Sequence, residues 1–367
     1  TADYDIRGSV MSSISNILVS KLPQVINFSE PIQELISVYI NEEITSEKDD
    51  VNYDDDDDDD VESQFLSNKN QLNSLTNIYL LIKNIYKLYP QLGPEDTTPW
   101  FHFCNTFMVS SNDDLTVAAT RASVYMLLAI STNLDPSEFW NNLKKNLDNV
   151  SDTVTSCSFN AISRFLENDF PTPDEIIQFA VENGTKGLLG KLDCQDEDAE
   201  PSDLLTLSMQ INGFFAEIAT KNPELFPINV YIDYENQIGK NSGEFEISQC
   251  IGVLRQLYIN SGEGCKINLA SLQKKIIIKS FFSTLSICDF TVLPEPLIAL
   301  KNVLERDSEI IVPKIQEVLE FIDNLFNCEN DGEMHYWSTM TNAASFLCTL
   351  MKMSLESFDL QSWLPRI

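Results

Sequence analysis

Apolar residues recur at three- and four-residue spacing along nearly the whole chain, the pattern of amphipathic helices. Residues 3–21 place Ile6, Val10, Ile14, Ile17 and Leu18 on one expected inner face, and Pro23 follows as a turn. A second helix is predicted from Ser29, a suitable N-cap, with Ile32, Leu35, Ile36 and Tyr39 inward. Leu72, Leu75, Tyr79, Ile82, Ile85, Tyr86 and Tyr89 form a long stripe that stops at Pro90. Further helices are expected over 99–109, 113–132, 136–147, 151–168, 173–189, 202–220, 244–260, 268–288, 295–306, 309–326 and 334–354. Asp135 with Pro136, and Thr172 with Pro173, supply cap-and-proline starts for two of them. Residues 225–243 carry mixed signals. Ile228 to Ile232 could be a short strand, but nothing obvious would pair with it, so the segment reads as a connection. No alternation of strand and helix appears, and glycine is sparse.

Grouped in pairs, the helices recur about every 45–50 residues, a period that suits stacked two-helix repeats. The expected fold is all-α: an α-solenoid of about seven stacked antiparallel helix pairs, forming one domain over 1–367. An irregular helical bundle is the alternative. Asp3, Asp5, Ile6, Arg7 and Val10, followed by Ile14 and Ile17, resemble the second-helix signature of HEAT repeats. The run from Asp114 through Val117 and Ala118 to Arg121 and Ala122 is a looser copy. Early prolines at Pro313 and Pro23 resemble HEAT first helices. The resemblance covers most of the chain in architecture and two segments in motif; most pairs lack the Asp and Arg of the pattern.

Charge sharpens the picture. With 56 acids against 24 Lys and Arg, the net charge is −32. Asp54, Asp55, Asp56, Asp57, Asp58, Asp59 and Asp60 form an unbroken run, inside an acidic insertion at 43–63. A packed core cannot hold such a block, because every carboxylate would need a partner. A second acidic loop is expected at 192–202. The body remains strongly negative without the first insertion, which argues against direct binding of nucleic acid and favours basic protein segments as partners.

Among HEAT families, an acidic body with a poly-acidic inter-helical loop is similar to the importin-β-type nuclear transport receptors. That resemblance implies a non-catalytic scaffold, cytoplasmic or nuclear, recognising basic segments. HEAT-repeat subunits of chromosome-organising and assembly complexes share these features, so a structural or regulatory subunit is the other implied role. The acidic run would then be a binding element, or an arm competing with acidic partners for a basic face.

That basic face is the one departure from the general charge. Lys274, Lys275 and Lys279 lie in a stretch without acids, with Lys275 and Lys279 one helical turn apart. Signals for catalysis are weak. The two histidines, His102 and His335, lack partners at metal-ligand spacing, so no metal, cofactor or catalytic residue is expected. Seven adjacent aspartates do not match the alternating ligands of a calcium loop. Gly184 to Lys191 fails the phosphate-loop pattern, because Thr185 and Leu192 stand where Gly and Ser or Thr are needed; a helix end closed by glycine is expected instead. Eight cysteines without regular spacing, several of them on apolar stripes such as Cys288 and Cys348, read as reduced thiols. No apolar run reaches the length of a membrane span. The chain opens on Thr1, so a segment of a longer protein is expected.

Overall fold

In the computed structural model the described residues are 4–21, 23–46, 61–130, 134–193, 201–231, 244–261, 269–287, 289–329 and 335–353. The Asp54–Asp60 run lies outside them, as do residues 194–200 of the second acidic loop. Among the described residues every regular element is helical, so the chain is all-α. The helices are α1 (Tyr4–Val19), α2 (Ser29–Ser46), α3 (Val61–Leu88), α4 (Thr98–Thr106), α5 (Asp113–Ile130), α6 (Ser137–Leu147), α7 (Asp152–Glu167), α8 (Asp174–Asp193) and α9 (Pro201–Lys221). They continue with α10 (Glu244–Ile259), α11 (Ser271–Leu285), α12 (Pro294–Arg306), α13 (Ser308–Ile311), α14 (Ile315–Phe326) and α15 (Tyr336–Lys352). Two compact units are formed, Thr1–Ala180 and Val181–Ile367.

In the first unit every second helix packs on the next. α1 lies on α3, α3 on α5 and α5 on α7, while α2 meets α4 and α4 meets α6. The expected stripe of α3 is mostly inside: Leu75, Tyr79, Ile82, Ile85 and Tyr86 are all buried. Each such side chain contributes about 1.5–3 kcal/mol by leaving water. Aromatic rings join the helices: Tyr79 stacks on Phe103 at 5.1 Å, and Phe165 meets Trp140 at 5.2 Å and Phe170 at 4.8 Å. The turn after α7 sets that last contact. Asp169 adopts φ 53, and the Phe170 amide donates back to the Phe165 carbonyl at 2.8 Å. A left-handed residue here closes the orphan carbonyls of the helix end. Asp135 works at the other end of a helix, accepting from the Ser137 amide at 3.0 Å and its hydroxyl at 2.6 Å just before α6.

α1 keeps Leu18 of the expected inner face buried but turns most of the rest outward. Ile6, Val10 and Ile17 are 61%, 41% and 47% exposed, whereas Met11 and Leu18 are 1% and 0% exposed. The buried side is Gly8, Met11, Ser15 and Leu18. Gly8 has Ser74 and Asn77 of α3 as neighbours, and the Asn84 amide donates to Ser15 Oγ at 2.6 Å. Small and polar residues let the two helices approach closely, and their hydrogen bonds satisfy the groups they bury. Only the partner's surface could reveal that choice.

In the second unit α9 packs on α10, α10 on α12 and α12 on α15, with α11 against both α10 and α12. The expected helix over 309–326 is broken in two. Pro313 lacks an N–H and its ring crowds the preceding turn, so 312–314 tighten into a 3₁₀ segment between α13 and α14. The glycine-closed end expected near Gly184–Lys191 is also absent, since α8 continues through it to Asp193. Gly187 is needed for close approach: a Cβ there would stand 2.9 Å from Ile211 Cδ1 of α9. The 225–243 connection is more ordered than a plain link where it is described. Residues 228–231 form a helical turn, and buried Tyr231 donates to Asn212 Oδ1 at 2.5 Å. Cys104, Cys157 and Cys250 are free and buried, but Cys348 is exposed, contrary to its expected apolar setting. Cys288 lies outside the described residues.

Candidate functional site

Two groups of cations stand out on an otherwise acidic chain. The first is the expected lysine face, on α11. Lys275 and Lys279 are exposed and share a side of the helix with Phe282. Lys314 joins them, its ammonium 4.6 Å from the centre of the Phe282 ring. Lys274 is half-buried and sits about 100° round the helix from Lys275, toward the buried Ile278 and Phe281. The face is therefore Lys275, Lys279 and Lys314 around one ring, with Lys274 at its inner edge.

The second group does not follow from the sequence pattern. It is built in the first unit from three consecutive helices of one packed row, α3, α5 and α7. Each contributes a pair four residues apart: Lys83 and Lys87, Arg121 and Tyr125, Asn160 and Arg164. Tyr125 is the hub. The Lys87 ammonium and the Arg164 guanidinium each lie 5.6 Å from its ring centre, and both contacts are cation–π attractions. Arg164 Nε donates to Asn160 Oδ1 at 3.1 Å, which fixes the plane of the guanidinium. Between α5 and α7 the surface dips into a shallow, open cleft lined by Thr120, Arg121, Tyr125, Cys157, Asn160 and Arg164.

Among the described residues the charges around this cleft are uncompensated: none of Lys83, Lys87, Arg121 and Arg164 makes an ion pair. The Lys83 ammonium is held below its ordinary pKa, first by burial and then by repulsion from Arg121, Lys87 and Arg164. The Cys157 thiol at the floor is pushed up by burial, with Arg121 beside it opposing the shift. It is a structural thiol rather than a reactive thiolate. Four positive charges with no negative partner among the described residues, around a ring and a neutral amide, can accept an anion.

The remaining sequence candidates separate. His102 is exposed on α4, with Nδ1 3.4 Å from Glu138, while its neighbours Trp100, Phe101, Phe103 and Cys104 are buried. His335 precedes α15, where its carbonyl accepts from the Thr339 amide at 3.0 Å. Among the described residues no three His, Cys, Asp or Glu side chains converge as metal ligands. No described helix is long and apolar enough to cross a membrane. No family model matches the chain, and no curated protein is significantly similar to it.

The sequence marks only one part of the cluster, Lys83 and Lys87, one helical turn apart on α3. The whole goes unseen because the residues are nearly 80 positions apart, and only the packing of every second helix brings them together. Along the chain, Arg121 stands out only as part of a repeat signature.

Proposed function

We propose that the chain is a non-catalytic protein-binding scaffold of HEAT-repeat type, an α-solenoid of stacked antiparallel helix pairs acting in the cytoplasm or nucleus. The observation that supports this reading is the succession of helix-on-helix contacts within each unit, every second helix in the first. Helices α1, α3, α5 and α7 pack in succession, as do α9, α10, α12 and α15, while α2, α4 and α6 make a second row in the first unit. Stacked pairs of this kind bury one face of each helix and leave long rows of side chains open to a partner. The net charge of −32 makes Lys- and Arg-rich protein segments the preferred ligands. Transport receptors of the importin-β type are the leading instance. Binding of a fluorescent basic peptide, measured by anisotropy, should weaken steeply as salt rises. Absent binding, or an affinity indifferent to salt, overturns this reading.

One observation favours a second role, as a structural or regulatory subunit of a large assembly. Ile6, Ile17, Phe28 and Val38 expose large apolar side chains on α1, α2 and the turn between them. A constitutive partner would cover such residues. Removing residues 45–62 separates the two. Loss of basic-peptide binding supports the receptor reading, and intact assembly without that loss supports the subunit.

A further inference from the structure

The cleft between α5 and α7 runs against the charge of the whole protein, and this is what gives it meaning. A solvated lysine on a helix face costs little and needs no explanation. Four cations drawn together from three helices, one of them partly desolvated, is a costly arrangement with no counter-ion among the described residues. An anion entering the cleft would relieve the repulsion that the fold leaves standing.

We infer that the cleft lined by Arg121, Tyr125 and Arg164, with Lys83 and Lys87 beside it on α3, is a binding site for an acidic side chain, carboxylate or phosphate, carried on a segment of another protein. Three features select this class. First, size: the cleft is shallow and open, with room for about 10 Å³, so it takes the tip of one side chain at its mouth and not an enclosed ligand or cofactor. Second, geometry: Arg121 and Arg164 present planar forks that match the paired oxygens of carboxylate or phosphate. Lys83 and Lys87 add two compact charges at the α3 side. Third, range: a long nucleic-acid polymer or a lipid surface would meet the field of a protein carrying −32. A short acidic segment feels chiefly charges within the screening length of about 8 Å, where the four cations dominate.

The site stands apart from the basic-segment recognition proposed above, because it selects the opposite charge.

The test uses the full chain and labelled peptides followed by anisotropy: one rich in Asp and Glu, one with phosphoserine at a central position, and a neutral Ser and Gln version. The acidic peptide should bind and the neutral one should not. Substituting Arg121→Gln and Arg164→Gln together should weaken binding about tenfold or more. Lys87→Gln, at an exposed side chain, should weaken it less, and it guards against misfolding of the double variant. Tighter binding of the phosphoserine peptide identifies phosphate as the group; equal or weaker binding identifies carboxylate. Three results overturn the inference: equal binding of the neutral peptide, binding unchanged in both variants, or preferential binding of inorganic phosphate or single-stranded nucleic acid. Loss of basic-peptide binding in the same assay bears only on the scaffold reading, so the two failures are distinguishable.

Discussion

A site that concentrates like charge must weaken the empty fold, so replacing Lys83 with Met should stabilise the protein. Met keeps the unbranched stem and a similar helix propensity, so packing and backbone change little. Lys83 and Lys87 form a like-charge pair one turn apart on α3, which costs about 0.2–0.5 kcal/mol. Burial of the ammonium and repulsion from Arg121 and Arg164 add to this, the repulsion discounted because Lys83 is only part-buried and therefore screened. The expected gain is about 0.5–1 kcal/mol at neutral pH and low salt. Urea unfolding followed by tryptophan fluorescence reports on the first unit through the buried Trp100 and Trp140. The gain should shrink at about 0.5 M salt, where screening acts within a few Å. The sign with pH also follows. Because the folded-state pKa of Lys83 is lowered, its charge destabilises the fold below that value, and the penalty fades as pH rises through it toward 10.5. The advantage of the Met variant should therefore vanish in alkali. A less stable Met variant, or a gain indifferent to salt, would refute the picture of an uncompensated cluster.

The rotated face of α1 predicts that Met11→Ala costs about 2–5 kcal/mol, whereas Ile17→Ala stays within about 0.5 kcal/mol, read from the same urea transitions. Equal losses would restore the face expected from hydrophobicity. Gly213 in α9 has open space where a methyl group would project, with nothing within 4 Å of it, so Gly213→Ala should gain about 0.8–1 kcal/mol, measured by thermal melting. Gly187→Ala, aimed at Ile211 2.9 Å away, should fail to show that gain. The Asp135 carboxyl is held below its ordinary value of 3.8 by hydrogen bonds from the Ser137 hydroxyl and amide. Titration by NMR should find it low in the native chain and raised toward 3.8 in Ser137→Ala, with the helix-start contacts present above its pKa and lost as pH falls through it.

Helix existence and limits were largely legible from the chain, because each depends on local spacing and on turn residues. The starts at Ser29 and after Asp135 and the stop before Pro90 all follow from chemistry within a few positions. The break at Pro313 was equally local and could have been read from its missing N–H. The inner face of α1 could not. Ile6, Val10 and Ile17 make the more hydrophobic stripe, yet burial depends on what the partner offers, and α3 offers Ser74, Asn77 and Asn84.

The candidate site divides in the same way. Lys275 and Lys279 are one turn apart on one helix, so the sequence alone determined that they would share a face. Lys314, reaching Phe282 from another element, was added only by the fold. The cleft was wholly a tertiary product. Helical spacing determines which residues share a side of one helix, but the stacking of α3, α5 and α7 decides which sides meet. Charges nearly 80 positions apart carry no local signal of their proximity, because repulsion acts through space and periodicity acts along the chain.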